Sequence, residues 1–320
     1  MTSLATIDLA GFRLGTPQRV DKLTVVPVFG PGYPGVLSPR DGVKLVRVDG
    51  YGTVVLRNPG SDGRVGLAIV PLHVGYVQDG AQNHALCRSA FLAPGQEVRF
   101  EDACCVQETT GGYLTERDQW FFTLPLELRA AALELRRQGS YSKLWPAIER
   151  FNRGHGLRAR GHLELMLAGR RAFLTQYRSR LELVAGQLGA LFVLGGRLVG
   201  VEVAPNPAYF ADVWPALVCF AYGPAAMHSR GDAAVAATPY EASTVEELVA
   251  AREAQLRAEL ARVRAVVDAA ARDWADPDVT EEERYLDLRL STVVGSGVAG
   301  QIVSDGARPV YASLFVREMN

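Results

Sequence analysis

Apolar residues between positions 20 and 108 come in short runs separated by turn signals. The runs are Leu23 to Phe29, Val43 to Val48, Thr53 to Arg57, Val65 to Pro71 and Ala85 to Leu92, closed by Glu97 to Phe100 and Ala103 to Val106. Between them lie Gly30-Pro31-Gly32-Tyr33-Pro34-Gly35, Asp49-Gly50, Asn58-Pro59-Gly60 and Ala93-Pro94-Gly95. Runs this short, punctuated by Gly, Pro and Asn, read as strands in an antiparallel sandwich-like region or partial barrel.

From residue 126 the spacing changes to that of helices. Leu126 to Arg137 repeats apolar positions helically and stops at Gly139. A second helix carries Leu144, Trp145, Ile148 and Phe151 on one side, and a third is predicted over Leu163 to Val184. Gly189 to Leu194 and Arg197 to Val203 then flank Gly195-Gly196, a hairpin signal. Asn206 to Phe220 returns to helix, the small-residue stretch 223–242 reads as a mobile loop, and Val245 to Trp274 as a long helix. Leu286 to Val294, Gly300 to Ser304 and Val310 to Val316 end the chain as strands. The expected class is α+β, with C-terminal antiparallel hairpins packed against helices. The expected division is a β-rich domain over 1–115 and an α+β domain over 116–320.

Two hairpins share a pattern. Gly189 to Val199 and Gly300 to Val310 each read as strand, Gly-containing turn, Arg and strand. They are either a weak internal repeat or one turn solution used twice.

Composition narrows the functional classes. Apolar residues are 48% and charged residues 22% of 320, and the net charge of −1 gives no bulk attraction to nucleic acid or to a membrane surface. No apolar run approaches the roughly 20 residues of a membrane span, and Met1 to Ala10 lacks the basic start of a signal peptide. Cys87, Cys104, Cys105 and Cys219 show neither a disulfide framework nor paired zinc hooks, which fits reduced thiols in the cytoplasm.

Candidate chemistry is sparse. Gly295-Ser296-Gly297-Val298-Ala299-Gly300 matches a dinucleotide fingerprint, but a strand-like hairpin follows where the fingerprint needs a helix. His73, His84, His155, His162 and His228 form no metal-ligand spacing, and no nucleophile elbow occurs. Cys104-Cys105 sits among apolar neighbours, the setting of a structural thiol. The run Gln78-Asp79-Gly80-Ala81-Gln82-Asn83-His84 stands out, because consecutive donors and acceptors interrupt two strand-like stretches. If those strands pair, Arg88 and Glu108 converge on it, giving either a site for a polar ligand or a solvated loop.

Three segments carry a resemblance. Ala81-Gln82-Asn83-His84 is followed by Ala93-Pro94-Gly95 and then Cys105-Val106-Gln107-Glu108. Gly189 to Gly200 precedes Tyr209-Phe210 and Trp214-Pro215, and Gly300 to Phe315 ends the series. In this order the chain resembles, over roughly residues 20 to 320, the bacterial ARG and rhodanese-phosphatase-superfamily-associated proteins. The family carries basic residues where this chain has Ala81 and His84, a Glu-rich approach where it has Gln78-Asp79, and a histidine where it has Tyr311. The resemblance implies association with ADP-ribosylglycohydrolase and phosphatase-like proteins, and so with nucleotide or ADP-ribose metabolism.

Two functions are expected from these features. The leading one is a non-catalytic binding or assembly protein with no cofactor and no metal, acting on a small polar ligand. Its ligand residues would be Asp79, Gln82, Asn83, His84, Arg88, Cys105 and Glu108. The other is an enzyme or sensor for a nucleotide-like molecule at Gln82-Asn83-His84. The long helix repeats Val249, Leu256, Val263 and Ala270 at heptad spacing. That stripe either packs on its own domain or joins two copies, and a dimer is the favoured assembly.

Overall fold

Leu23–Phe29 has apolar residues buried on both faces, and a strand of that kind belongs inside a sheet. It pairs antiparallel with Gly189–Leu194 and so leaves the N-terminal β region for the sheet built by the C-terminal hairpins. Pro27 has no N–H to donate. It falls where the neighbouring chain is interrupted between Arg13–Leu14 and Gln18–Val20, and its carbonyl accepts from the Gly15 N–H at 2.8 Å. The computed structural model describes residues 3–4, 7–8, 11–60, 66–77, 82–108, 120–228 and 242–318.

The main sheet is antiparallel throughout. Its order runs Asp278–Tyr285, Leu288–Val294, Val298–Asp305, Arg308–Val316, Arg197–Val203, Gly189–Leu194, Leu23–Phe29 and Arg13–Leu14, with Gln18–Val20 also on Leu23–Phe29. The two look-alike hairpins therefore lie side by side, Gly200–Val203 paired with Ala312–Phe315. Gly195 and Gly196 both take positive φ, 57° and 82°, as a two-residue turn between right-twisted strands requires. Gly295 to Gly297 form a bend leading into the Val298–Asp305 strand, which holds Gly300, so no helix follows the glycines.

The Asp278–Tyr285 strand lies outside the predicted elements. Its run Asp-Val-Thr-Glu-Glu-Glu-Arg-Tyr has no apolar alternation because it is a largely exposed edge, where charge discourages pairing with another sheet. Among the described residues, the β-rich region between 36 and 123 holds three small sheets. Lys44–Val48, Val54–Arg57 and Glu97–Phe100 form one, and Val36–Leu37, Leu67–Ile69 and Phe91–Leu92 another, with one parallel pair. Val74–Val77, His84–Ala85, Cys104–Cys105 and Trp120–Thr123 form the third.

Helices cover both faces of the main sheet. Ser313 and Phe315 face the Leu126–Glu134 helix through Arg129. Val316, one step out of phase, faces Val266 and Ala270 of the Val245–Asp273 helix. The helix expected over 206–220 runs on as Pro207–Ala216, a π-helical turn Leu217–Ala221 and Tyr222–His228. The start of the expected loop is thus helical, and 229–241 lie outside the described residues. This stretch is long and apolar enough for a membrane span, but it is mostly buried within the protein as a core helix. The single helix expected over 163–184 is two, Glu164–Leu167 and Arg171–Arg180, parted near Gly169. Thr244 caps the long helix, its hydroxyl accepting from the Glu247 N–H at 3.2 Å while the Glu247 carboxylate accepts from the Ser243 N–H at 2.7 Å.

Gly200 is the tightest point of the sheet. A Cβ there would sit 2.0 Å from Tyr222 Oη, whose ring stacks on Phe192 with centroids 3.7 Å apart. Gly200→Ala is expected to lower the stability measured by urea unfolding by about 2–3 kcal/mol, the scale of an overpacked core. A loss below about 0.5 kcal/mol would show that Tyr222 is not held there.

Candidate functional site

The polar run folds into the interior. His84–Ala85 is a short strand between Val74–Val77 and Cys104–Cys105, which buries Gln82, Asn83 and His84. Their partners are internal. The Cys105 thiol donates to Gln82 Oε1 at 3.0 Å, and the Asn83 N–H to Gln107 Oε1 at 2.9 Å. Asn83 Nδ2 and Gln107 Nε2 both donate to Glu164 Oε2, at 3.2 and 3.1 Å. His84 is committed at both ring nitrogens. Nε2 accepts from the Gly52 N–H at 3.0 Å, so Nδ1 carries the proton and donates to the Gln82 carbonyl at 2.7 Å. Burial lowers its pKa, and protonation would break the bond from Gly52.

Of the residues predicted to meet here, Gln82, Asn83, His84 and Cys105 do. Asp79 lies outside the described residues. Glu108 turns its carboxylate to the Gly161 N–H at 3.2 Å, and Arg88 goes elsewhere. Sequence reasoning missed Glu164, which closes the cluster from a separate short helix. Burial raises its carboxyl pKa against the two amide donors, and among the described residues its Oε1 has no hydrogen-bond partner. Burial also pushes the Cys105 thiol up to about 11, and Cys104 is raised by its hydrogen bond with Cys87, Sγ to Sγ 2.9 Å, and by burial. Neither is a thiolate at neutral pH, so neither is an activated nucleophile.

Arg88 lines an open cleft of about 650 Å³ where the small sheets, the end of the Leu126–Glu134 helix and the edge of the main sheet meet. Its guanidinium lies over the Phe100 ring at 4.9 Å and pairs with Asp102 at 3.2 Å. Asp102 also accepts from the Arg137 N–H at 2.9 Å. Glu282 is held between Arg136, at 3.1 Å, and Arg137. Glu283 accepts from the Phe91 N–H at 3.2 Å, and burial raises its pKa. The walls thus present fixed charges of both signs.

The cleft joins a buried polar row that the sequence reading passed over. Arg129 has no exposed side-chain surface and pairs with Glu202 at 2.7 Å. It also donates to Ser313 Oγ, to Tyr222 Oη at 3.3 Å and to His73 Nδ1 at 3.3 Å. Glu202, Ser313, Gln301 and Thr292 are direct cross-strand neighbours on one face. Gln301 Nε2 donates to Thr292 Oγ1 at 2.9 Å, and Thr292 Oγ1 to Glu282 at 2.7 Å. The available signal was one polar residue inside an apolar run in each of three strands: Glu202 in Val201-Glu202-Val203, Gln301 before Ile302, and Ser313 between Ala312 and Leu314. Among the described residues no group of three or more His, Cys, Asp or Glu could hold a metal ion.

Comparison with known protein families matches residues 11–314 to the ARG and Rhodanese-Phosphatase-superfamily-associated Protein domain. Searches of curated proteins and of solved structures found no match.

The histidines set an acid limit. His73, His84 and His162 all have pKa values lowered by burial from an ordinary 6.5. A base depressed in the fold adds stability that is complete above 6.5 and is lost as pH falls toward the folded value. The melting temperature is therefore expected to drop as pH falls below 6.5, and His84→Gln to flatten part of that slope. An unchanged slope in the variant would mean that His84 is not held neutral.

Proposed function

The chain belongs to the family of ARG and Rhodanese-Phosphatase-superfamily-associated Proteins, and from that premise we propose that it is a non-catalytic binding protein for a small polar ligand. The ligand sits in the Arg88 cleft rather than at the Gln82-Asn83-His84 segment. One observation carries this reading: the segment's side chains are buried and paired internally, whereas the cleft is open and charged.

Arg88 is held from both sides, by Phe100 and by Asp102, and so is oriented before a ligand arrives. A planar, fully charged guanidinium suits a phosphate or carboxylate, and the acidic wall of Glu282 and Glu283 suits hydroxyl and amine donors. Nucleotides and ADP-ribose carry both kinds of group, in line with the association in the family's name. Four buried free cysteines fit a reducing, cytoplasmic setting. A second reading, an enzyme or sensor at the polar segment, draws support from the unpartnered Glu164 Oε1.

A thermal-shift screen of the full chain against NAD, ADP-ribose and common nucleotides, with product analysis by chromatography, tests the proposal. The expected result is a shift with at least one of them, no turnover, and loss of the shift in Arg88→Gln. That variant should melt within a few degrees of the parent, because a partly exposed pair contributes about 1 kcal/mol or less. Turnover, or a shift that survives Arg88→Gln, would favour the second reading instead.

A further inference from the structure

Two large aromatic side chains stay exposed beside the cleft. Tyr51 and Tyr141 are 56% and 37% exposed, yet both are held. Tyr51 sits in the turn between Lys44–Val48 and Val54–Arg57, and its ring lies against that of Tyr141 with centroids 5.0 Å apart and planes at 31°. Tyr141 in turn meets the Trp145 ring edge-on at 5.7 Å, and its carbonyl accepts from the Cys105 N–H at 2.9 Å. Trp145 is tied to the same residue, its Nε1 donating to the Cys105 carbonyl at 3.0 Å. On the other side, Gly52 donates its N–H to His84 Nε2, and a Cβ on Gly52 would sit 2.9 Å from that of Tyr141. A glycine there, with φ of 81°, lets the turn close on the second ring. The buried polar segment therefore braces an aromatic platform that reaches solvent.

Resting on the cleft reading above, we propose that this platform stacks the base of a nucleotide whose phosphates lie at Arg88. The platform and the cleft share one rim. Gly139 lines the cleft, and Tyr141 stands two residues on, at most about 7 Å along the chain. The segment from Asp102 to Cys105 links them again, with Asp102 in the cleft wall and Cys105 bonded to Tyr141. Lys143 lies between them. Its Nζ donates to the carbonyl of Asp102 at 2.8 Å and to that of Gln138. An ammonium carries three N–H groups, so one remains for a phosphate oxygen. A braced, exposed aromatic ring loses little freedom on binding and takes any base by its π-face. A base-free sugar phosphate would leave Tyr51 without a contact, so the platform selects a nucleotide.

Isothermal titration of the full chain with ADP and with ribose 5-phosphate tests it. ADP is expected to bind roughly tenfold more tightly or better. Tyr51→Ala should weaken ADP by about five- to a hundredfold, the range of one base stacked on an aromatic ring. It should leave ribose 5-phosphate unchanged and keep the parent's melting temperature. Tyr51→Phe, which retains the ring, should bind ADP as the parent does. Equal affinity for the two ligands, or ADP binding unchanged in Tyr51→Ala, would overturn the platform. If ADP is then still lost in Arg88→Gln, the cleft reading stands without it. Loss of ADP in Tyr51→Ala but not in Arg88→Gln would support the stacking and overturn the cleft reading. Binding of neither ligand would overturn both.

Discussion

A guanidinium without exposed surface cannot be left unpaired, because desolvating an isolated charge costs several kcal/mol even after relaxation. Arg129 is in that position, and the structure around it follows from the need to satisfy it. Glu202 supplies the countercharge from the main sheet, Ser313 and Tyr222 take further N–H groups, and the Phe315 ring lies under the guanidinium at 4.5 Å. His73 completes the set from a left-handed conformation, φ 60°, which a non-glycine residue adopts only when its surroundings hold it there. Burial and the neighbouring Arg129 keep that imidazole neutral, so it can accept the bond from Nε. Three separate pieces meet at one charge: the Leu126–Glu134 helix, the sheet, and the loop before the Val74–Val77 strand. The π-helical turn at Leu217–Ala221 carries Tyr222 into the same site, and the missing side chain of Gly200 makes room for its hydroxyl.

The polar row carries this constraint to the surface. Gln301 accepts from the Ser89 N–H and donates to Thr292, which donates to Glu282, so the acidic wall of the cleft is anchored from inside the sheet. On the other wall, Asp102 is fixed by a backbone N–H and by Arg88. Walls tied into the core hold their groups in fixed positions, the preorganisation on which the proposed ligand site rests. At the buried segment both ring nitrogens of His84 are engaged, and burial raises the pKa of the Cys105 thiol.

Much of the fold was legible from periodicity: the strand-rich N-terminal region, the helical middle, the two glycine hairpins and the long capped helix. What escaped did so for physical reasons. The Asp278–Tyr285 edge strand faces solvent and so lacks the apolar alternation that marks a half-buried strand. Leu23–Phe29 looks like its sequence neighbours, and only pairing over more than 160 residues places it in the main sheet. At the candidate site, the density of Gln, Asn and His read as a ligand site or a solvated loop, whereas the structure buries Gln82, Asn83 and His84 in internal hydrogen bonds. That pairing depends on Gly52, Gln107 and Glu164, which come from elsewhere in the chain. Arg88 was singled out, yet its partner Asp102 was not, because their contact depends on how two short strands are set side by side.

The account turns on Arg129 and Glu202 acting as one unit, and a double-mutant cycle measures that directly. Urea unfolding would be compared for the parent, Arg129→Met, Glu202→Leu and the pair together. Each single change should cost about 3–5 kcal/mol, because each leaves the opposite charge buried alone, and the double variant should lose less than the sum. Additive losses would contradict the account, for they would mean that the two charges are satisfied independently and that the junction does not depend on their pairing.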